Sequence, residues 1–358
     1  MVTTTAGAAS FEAAGTKVNL GGYAKFDASY LDPGRDLSGT VITAATLPLK
    51  GDTTDSTVDF SARESRLWLK TKTETENGVL NTHLEGDFYG GGGNEFASNS
   101  YGLRLRHAYG TLNGWLMGQT WSTFMDLAHF GELLDFGQHK STAFIRQAQV
   151  RYTHSIENGA LMFALENPQS YIVNSAGTVV NTGDKGRLPD IIARYKQRTD
   201  WGQASAAVML REFKFDNDTR DTGMAVSLNA KINLPNKDDI RMQFNAGALG
   251  RYMGMIVHPG AVYDGTSVSA VDSFGASLAY RHIWGEGLRS TLMVSGTGAD
   301  VAAGSGLAEN SQSVHLNLLW DLNKQVRMGI EAQHSAMALA DNTERELTRL
   351  QFSTRYLF

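Results

Sequence analysis

The sequence contains no cysteine and only 6 prolines among its 358 residues, whereas glycine is frequent at 38. Without cysteine the chain can form neither a disulfide framework nor a thiolate nucleophile, and cysteine-ligated metals are excluded. No apolar run approaches the roughly 18 residues of a spanning helix. This does not exclude a membrane-spanning β-barrel, because alternating strands dilute the hydropathy of the chain.

Several classes of function find no support in the sequence. The net charge of -5 argues against a nucleic-acid partner, so we expect none. The histidines show no metal-ligand spacing, and Gly90–Gly93 lacks the Gly-Lys-Ser/Thr ending of a phosphate loop. We therefore expect no cofactor and no metal. No G-x-S-x-G motif is present, so nothing local favours catalysis and we do not expect an enzyme.

The last twelve residues alternate between an apolar and a polar face. Counting back from Phe358, one face carries Tyr356, Phe352 and Leu350, and the other carries Arg355. This period of two predicts a strand, and a strand that runs to the final residue needs a pairing partner there. The closing strand of a barrel, with its aromatic end in a membrane-interface girdle, meets that need.

Strand-like segments recur along the whole chain, and the connections between them alternate in length. We predict about sixteen strands, an even number as bacterial single-chain barrels require. They lie near residues 18–31, 58–73, 79–88, 101–112, 115–122, 143–155, 160–167, 189–198, 201–212, 221–233, 240–251, 271–283, 287–297, 311–320, 325–334 and 346–358. Short connections with Asn-Gly or glycine turns suit hairpins. The pattern predicts an all-β, antiparallel transmembrane β-barrel with short periplasmic turns and long extracellular loops.

The number of strands decides which face points inward. In a small barrel the apolar face fills the interior, but about sixteen strands leave an aqueous lumen. We therefore predict that polar residues such as His315 and Asn317 line the lumen, while Leu316 meets lipid. As domains we predict a flexible N-terminal segment over residues 1–17 and a single transmembrane barrel over residues 18–358.

On the predicted lumen face, cations far outnumber acids. Rings of arginine and lysine favour anions in a pore, and arginine suits bidentate recognition of carboxylates. The candidate substrate-binding, pore-lining residues are Arg66, Arg104, Arg106, Arg151, Arg194, Arg349 and Lys25. Four further arginines lie close to short turns, where contact with lipid headgroups or water is the favoured interpretation: Arg241, Arg281, Arg289 and Arg327.

The third long connection, residues 122–142, is rich in apolar residues for an external loop. We expect it to fold into the lumen and constrict the pore. Its Asp126, Glu132 and Asp135 would then face the cationic wall and create a transverse field across the constriction. The alternative places its apolar side chains at a subunit interface.

Together these features predict a passive diffusion channel for small anionic solutes. The alternatives are a general, weakly selective porin, an outer-membrane barrel hydrolase and a soluble β-sandwich binding protein. A sugar channel ranks lower, because only Tyr23 and Trp68 among the aromatic residues fall clearly on the predicted inward face.

Four segments and the terminal Phe358 give the chain a family resemblance that extends from Val18 onward. In order and spacing they resemble the DcaP-type porins: ARESRLWLKT at 62–71, LRLRHAYGTL at 103–112, MGQTWSTF at 117–124 and RQAQVRYT at 146–153. The resemblance implies a sixteen-stranded channel of the bacterial cell outer membrane that forms a homotrimer and favours dicarboxylates. The partners expected are therefore small anionic solutes, outer-membrane lipid and lipopolysaccharide.

The resemblance also implies roles for particular residues. It assigns the motif arginines Arg66, Arg104, Arg106 and Arg151 to the pore. Family members carry an N-terminal coiled-coil extension, and residues 1–17 show no heptad pattern.

Overall fold

The computed structural model describes residues 9–34, 47–96, 98–137, 141–181, 186–215 and 219–358. The described residues are dominated by strands, with short 3-10 helices at Leu127–His129, Pro235–Lys237 and Gly250–Tyr252. Among the described residues, none of the helices has the length and apolar character needed to cross a membrane. In chain order the strands are β1 (Ala9–Ala13), β2 (Thr16–Asp32), β3 (Thr57–Ser61), β4 (Arg66–Thr75), β5 (Gly78–Gly90), β6 (Gly102–Leu112), β7 (Trp115–Trp121), β8 (Arg146–Ile156), β9 (Gly159–Glu166), β10 (Ile172–Asn174), β11 (Val179–Asn181), β12 (Asp190–Thr199), β13 (Gly202–Lys214), β14 (Arg220–Asn233), β15 (Asp239–Gly247), β16 (Ala261–Tyr263), β17 (Val268–Ala270), β18 (Ser273–Gly285), β19 (Leu288–Ala299), β20 (Ala308–Asp321), β21 (Val326–Leu339) and β22 (Glu344–Leu357).

The wall is a closed antiparallel barrel of sixteen strand positions, as predicted. Strands β3 and β4 follow one another along β2 and together fill one position. The wall then continues through β5 to β9, β12 to β15 and β18 to β22, each paired antiparallel with the next. The last strand returns to the first, because β22 pairs with β2 from Tyr23–Leu357 to Asp32–Thr348. Pairing of the terminal strand thereby satisfies its backbone groups, as spanning a membrane requires.

The N-terminal end of the barrel departs from the sequence-based expectation. The first wall strand begins at Thr16, and β1 folds back to pair with residues 16–20 through a turn at Ala14 and Gly15. Both turn residues have positive φ, 49° and 74°. Part of the segment predicted to be flexible therefore has paired backbone, while residues 1–8 lie outside the described residues.

The connections follow the predicted pattern with three differences. Residues 62–65 interrupt the ladder, so the strand predicted over 58–73 is divided into β3 and β4. Long loops were predicted over residues 213–220 and 335–345, but the adjoining strands continue further and leave connections of only 215–219 and 340–343. The predicted Asn113–Gly114 turn has positive φ at both residues, 49° and 86°, as a tight hairpin turn requires.

Side-chain facing agrees with the predicted polar lumen and apolar exterior. On β20, His315 is fully buried inside the barrel, while the neighbouring Leu316 is 54% exposed on the outside. On β22, Arg349 is fully buried and Leu350 is 52% exposed. Because lipid meets the outer face, exposure of these leucines is the arrangement that the membrane stabilises.

Aromatic residues on the outer face concentrate at the short-turn end of the barrel. Trp115 and Trp201 border short turns, Trp284 precedes another, and Tyr356 and Phe358 end the chain; all are exposed. Tyrosine and tryptophan at this level form the interface girdle of an outer-membrane barrel. The girdle fixes the short-turn end at one surface of the bilayer.

Two long connections fold inward and pack against each other inside the barrel. The inner loop, residues 122–145 between β7 and β8, meets the 3-10 helix Gly250–Tyr252 of the connection between β15 and β18. Ala143 forms an antiparallel bridge with Met253, and the Phe144 amide donates to the Tyr252 carbonyl at 2.9 Å. Buried Phe124 and Met125 join the same apolar cluster. The predicted insertion of the third loop into the lumen is thus present, with a second loop supporting it.

A small second sheet links two external connections above the barrel. In it β10 pairs parallel with β16, and β11 and β17 flank them. Its side chains share a buried cluster with Phe213 and Ala248 of the barrel wall and its rim.

Candidate pore and its constriction

The first acidic residue of the inner loop is bound directly to the wall. Asp126 forms an ion pair with Arg194 of β12 at 2.7 Å, and the Ser205 hydroxyl of β13 donates to the same carboxylate at 2.7 Å. The Asp126 side chain also accepts from the Ala128 amide at 3.0 Å and caps the 3-10 helix Leu127–His129. Arg194, predicted to line the pore, therefore holds the loop.

The second acidic residue contacts three wall arginines. The Arg289 guanidinium donates to both oxygens of Glu132, at 2.8 and 2.6 Å, and Arg327 donates at 3.0 Å. Arg281 lies 3.5 Å from the same carboxylate. Contact with lipid headgroups or water was the favoured interpretation for these arginines, and that interpretation is wrong. They lie on the inward face of their strands, where Glu132 of the loop and the wall residues Asp239 and Asp321 pair with them.

Arg241, the fourth strand-end arginine, also points inward. It donates to the Phe130 carbonyl of the inner loop and to Asp239 of its own strand, the latter at 2.7 Å. Burial within the lumen is less costly for such a cation than exposure to lipid, provided that hydrogen bonds satisfy it.

The tip of the inner loop is bound to the last strands of the barrel. Asp135 pairs with Arg349 of β22 at 3.1 Å, and neither side chain is exposed. The Glu331 carboxylate of β21 accepts from the Leu134 amide at 2.8 Å, and Lys25 of β2 donates to the Leu134 carbonyl at 3.4 Å. Arg349 and Lys25 were predicted to line the pore, and in the structure they contact the tip of the loop.

Electrostatics keeps the loop acids ionised. Burial raises the pKa of Glu132, but hydrogen bonds from Arg289 and the charges of Arg289, Arg327 and Arg281 outweigh it and lower that pKa to about 2. For Asp126, burial is likewise outweighed, here by the charges of Arg194 and Lys196, and its pKa is also about 2. These carboxylates do not face cations across a gap. The expected transverse field is therefore not produced by the loop acids.

The adjoining part of the wall, β4 to β8, carries another charged group. Arg104 binds Asp87 through two hydrogen bonds, of 2.9 and 2.8 Å. Arg106 donates to Glu85 at 2.7 Å and to Asp87 at 2.9 Å. Arg66 lies 3.5 Å from Glu85. The structure thus brings together three of the predicted pore residues, which share two carboxylates of β5.

A bulge between β5 and β6 concentrates these side chains. Glu85 is opposite His107, whereas Gly86 is opposite Leu105, so Arg106 is the extra residue. A bulge changes the alternation of the strand, and here Arg106 and His107 are both buried inside the barrel. His107 was not predicted as a site residue, because strict alternation places it on the lipid face.

Arg146, at the start of β8, is a further cation of this site and was not predicted from the sequence. Its guanidinium lies 4.3 Å from the centre of the Trp121 ring, and within the described part of the chain no carboxylate is in ion-pair contact with it. The charges of Arg104 and Arg106 act on it. We define the arginine group as Arg66, Arg104, Arg106 and Arg146. The sequence feature that could have indicated Arg146 is its position as a cation where the inner loop ends and β8 begins.

Aromatic side chains border the arginine group. Phe136 of the inner loop stacks on Tyr89 of β5 with ring centres 4.7 Å apart, and Arg104 lies 5.0 and 5.2 Å from the centres of these two rings. Phe136 is buried inside the barrel, so the alternative of a subunit interface does not apply to it. The loop therefore presents an apolar face, and the wall presents cations.

Arg151 of β8 stands apart from the arginine group. Within the described ranges it has no ion-pair partner, although the Glu166 and Arg194 charges act on it. In the same ranges no group of three or more His, Asp or Glu side chains is arranged to hold a metal ion.

A closed wall with an apolar exterior, an aromatic girdle and an inward-folded loop defines an outer-membrane porin. The chain belongs to the DcaP outer membrane protein family, whose model matches residues 3–358. It is accordingly a channel of the bacterial outer membrane and not an enzyme. No curated protein matches the chain.

Solved structures share the fold. The outer membrane channel DcaP of Acinetobacter baumannii is 24% identical, with 98% of this chain and 100% of that chain covered and a TM-score of 0.87. The anion-selective porin from Comamonas acidovorans is 12% identical, with 96% of this chain and 100% of that chain covered and a TM-score of 0.65. The trimer form of OmpT, an outer membrane protein of Vibrio cholerae, is 9% identical, with 96% of this chain and 99% of that chain covered and a TM-score of 0.59.

Proposed function

We propose that this porin is a passive channel selective for small anions, and that dicarboxylates are the solutes its arginines suit best. One observation carries the proposal. The four cations of the arginine group contact only two carboxylates within the described residues, Glu85 and Asp87. Two positive charges of the group are therefore not balanced by the wall.

Unbalanced guanidinium groups in a confined, water-filled space attract anions. Arg104 retains partial exposure, 29% of its side chain, so a solute carboxylate can approach it. A planar guanidinium forms two parallel hydrogen bonds with a carboxylate, and neighbouring arginines can engage two carboxylates of one solute. Binding must stay weak, since a solute held tightly would not leave the channel.

The inner loop supports this selectivity in an indirect way. Asp126 and Glu132 are neutralised by wall cations and do not repel an anion as free carboxylates would. The loop places the apolar Phe136 beside the arginine group, with its ring centre 5.2 Å from the guanidinium carbon of Arg104 and 5.6 Å from that of Arg106. An anion passing the constriction would then meet cations on one side and an uncharged surface on the other.

We also propose that the protein forms a homotrimer surrounded by outer-membrane lipid and lipopolysaccharide. Support comes from a solved porin of the same fold that is described as a trimer. Light scattering of the detergent-solubilised protein measures this directly, and a monomeric mass for the active channel would contradict it.

Reversal potentials in planar bilayers test the anion selectivity. Replacing Arg104→Ala together with Arg106→Ala removes two cations and frees two carboxylates, so the ratio of anion to cation permeability should fall. The matched control, Lys17→Ala, removes an exposed cation at the short-turn end and should leave the ratio unchanged. Unchanged selectivity in the double variant would remove these residues from the mechanism.

Liposome swelling distinguishes a dicarboxylate channel from a general porin. Succinate should enter faster than an uncharged solute of similar size, and the Arg104→Ala, Arg106→Ala variant should lose this advantage. Equal rates for the two solutes in the native protein would support the general porin instead.

A further inference from the structure

A row of charged residues crosses four strands at the short-turn end of the lumen. In the register of the sheet, Asp321 is opposite Arg327, Arg327 is opposite Arg355, and Arg355 is opposite Lys25. These residues therefore lie side by side on β20, β21, β22 and β2. The row adjoins the arginine group, because Arg66 and Arg355 lie 5.1 and 5.3 Å from the centre of the same Tyr23 ring.

Three members of the row have partners of opposite charge. Arg327 donates to Asp321 at 2.6 Å and to Glu132 at 3.0 Å, and Lys25 lies 3.2 Å from Asp27. Lys25 also forms an ion pair with Glu64.

Arg355 differs from the other cations of this row. Within the described residues no carboxylate is in ion-pair contact with it, and its Nε atom is buried without a hydrogen-bond partner. The charges of Glu64 and Glu132 reach it only from a greater distance. Its one described contact is with Tyr23, whose ring centre lies 5.3 Å from the guanidinium carbon.

This placement is unfavourable for the protein alone. Like charges directly opposite each other on neighbouring strands destabilise a sheet, and Arg355 has a cation on each side. A buried guanidinium nitrogen without a partner adds a further cost. An anion bound at the guanidinium of Arg355 would offset the repulsion between these cations.

A cavity is present at the same place. A depression of about 540 Å³ opens beside Arg355 and is also lined by Arg327, Lys324 and the turns that contain Glu286 and Asn323. Of its two acidic residues, Asp321 is already bound by Arg289 and Arg327, and Glu286 lies on the turn between β18 and β19. The depression is therefore open, polar and unbalanced in favour of positive charge.

We propose that this depression is a second anion-binding site at the short-turn mouth, where Arg355, with Arg327 and Lys324, holds a small di- or tricarboxylate. The site extends the proposed anion path and in that respect rests on the proposed function. Arg355 shares the inward face of β22 with the buried Gln351 and Ser353, so the ligand is a solute of the lumen and not a lipid headgroup.

Block of the ion current by citrate, added separately to each side of a planar bilayer, tests the site. Because the chain has no cysteine, Glu76→Cys on another short turn reports the orientation of the channel through its reaction with an impermeant thiol reagent. Citrate on the short-turn side should block the native channel at lower concentration than citrate on the loop side. Arg355→Gln should raise the half-blocking concentration on the short-turn side about tenfold.

Three comparisons make the result specific. Arg355→Lys, which keeps the charge but loses the planar fork, should weaken the block by less than Arg355→Gln. Arg198→Gln removes an exposed cation at the same end of the barrel, outside the depression, and should leave the block unchanged. The block should be the same in neutral and in anionic lipid, since a headgroup occupying the site would compete with citrate.

Two outcomes would overturn the proposal: equal effects of Arg355→Gln and Arg198→Gln, or loss of the block in anionic lipid. Reversal potentials of the same channels separate this result from the proposed function. Native channels without anion selectivity that still show the Arg355-dependent block would refute the proposed function and leave the mouth site standing. Anion-selective channels without the Arg355-dependent block would refute the mouth site and leave the proposed function standing.

Discussion

Arg349 of the last strand and Asp135 at the tip of the inner loop form an ion pair of 3.1 Å in which neither side chain is exposed. The pair joins residues far apart in the sequence and fixes the loop tip to the strand that closes the barrel. Desolvation makes such a pair sensitive, because either partner left alone is a buried charge. Arg349 therefore holds the tip of the loop against the wall.

Arg349→Met should destabilise the folded barrel, because it leaves Asp135 without this partner. Breaking a buried pair by removing one member costs about 3–5 kcal/mol. The temperature at which the folded form converts to the slower-migrating unfolded form in electrophoresis measures the change. Asp135→Asn in the same chain should restore part of the loss, and an Arg349→Met protein that unfolds at the native temperature would contradict the tether.

Glu132→Gln should loosen the middle of the loop, with an effect that depends on pH. The pKa of Glu132 lies at about 2, below the ordinary 4.5, mainly because hydrogen bonds and charge from Arg289 outweigh burial. A depressed pKa means that the carboxylate stabilises the fold fully above the ordinary pKa and loses this effect as the pH falls towards 2. The difference in unfolding temperature between native protein and variant should therefore persist from pH 7 to pH 5 and shrink below pH 4.

The open-channel current provides a second measurement for the same variant. A loosened loop should give a noisier current at neutral pH, while Glu74→Gln, which removes an exposed carboxylate outside the loop, serves as the matched control. A quiet current in Glu132→Gln would show that its arginine partners do not position the loop.

The facing of the strands could be predicted from the sequence, because it depends only on local alternation and on the number of strands. His315 and Leu316 illustrate this: once the interior is known to be wet, their opposite directions follow. The bulge at Arg106 could not be predicted in this way, since it depends on the pairing of two strands. For that reason His107 was missed while Arg106 was placed correctly on the inward face.

The roles of the individual arginines depend on the course of the inner loop, which no local pattern encodes. Arg194 and Arg349 resemble Arg104 in sequence context, but the loop passes over them and its acids bind them. Arg289 was assigned to the membrane surface from its closeness to a turn, yet it holds Glu132. Only such long-range contacts distinguish the arginines that hold the loop from those proposed to line the solute path.

Phe136→Ala should separate the size of the path from its charge. The ring packs against Tyr89 and lies 5.2 Å from the guanidinium carbon of Arg104, but it carries no charge. Its removal should widen the path and raise single-channel conductance, while the anion preference measured by reversal potential changes little. Arg104→Gln is the counterpart and should lower the preference with a smaller change in conductance. A loss of selectivity in Phe136→Ala equal to that in Arg104→Gln would mean that the ring positions the arginine group.

Leu316→Lys tests the membrane-facing side of the same wall. Leu316 lies near the middle of β20 on the outer face, between two inward-facing residues. Its side chain is 54% exposed on the surface that faces lipid. A lysine at the bilayer midplane costs about 2–4 kcal/mol in an outer-membrane barrel. Refolding into lipid vesicles at a series of urea concentrations should therefore show a lower midpoint for this variant. Leu316→Met, which keeps the side chain apolar, should refold like the native protein, and equal midpoints for the lysine and methionine variants would place this residue outside the hydrocarbon.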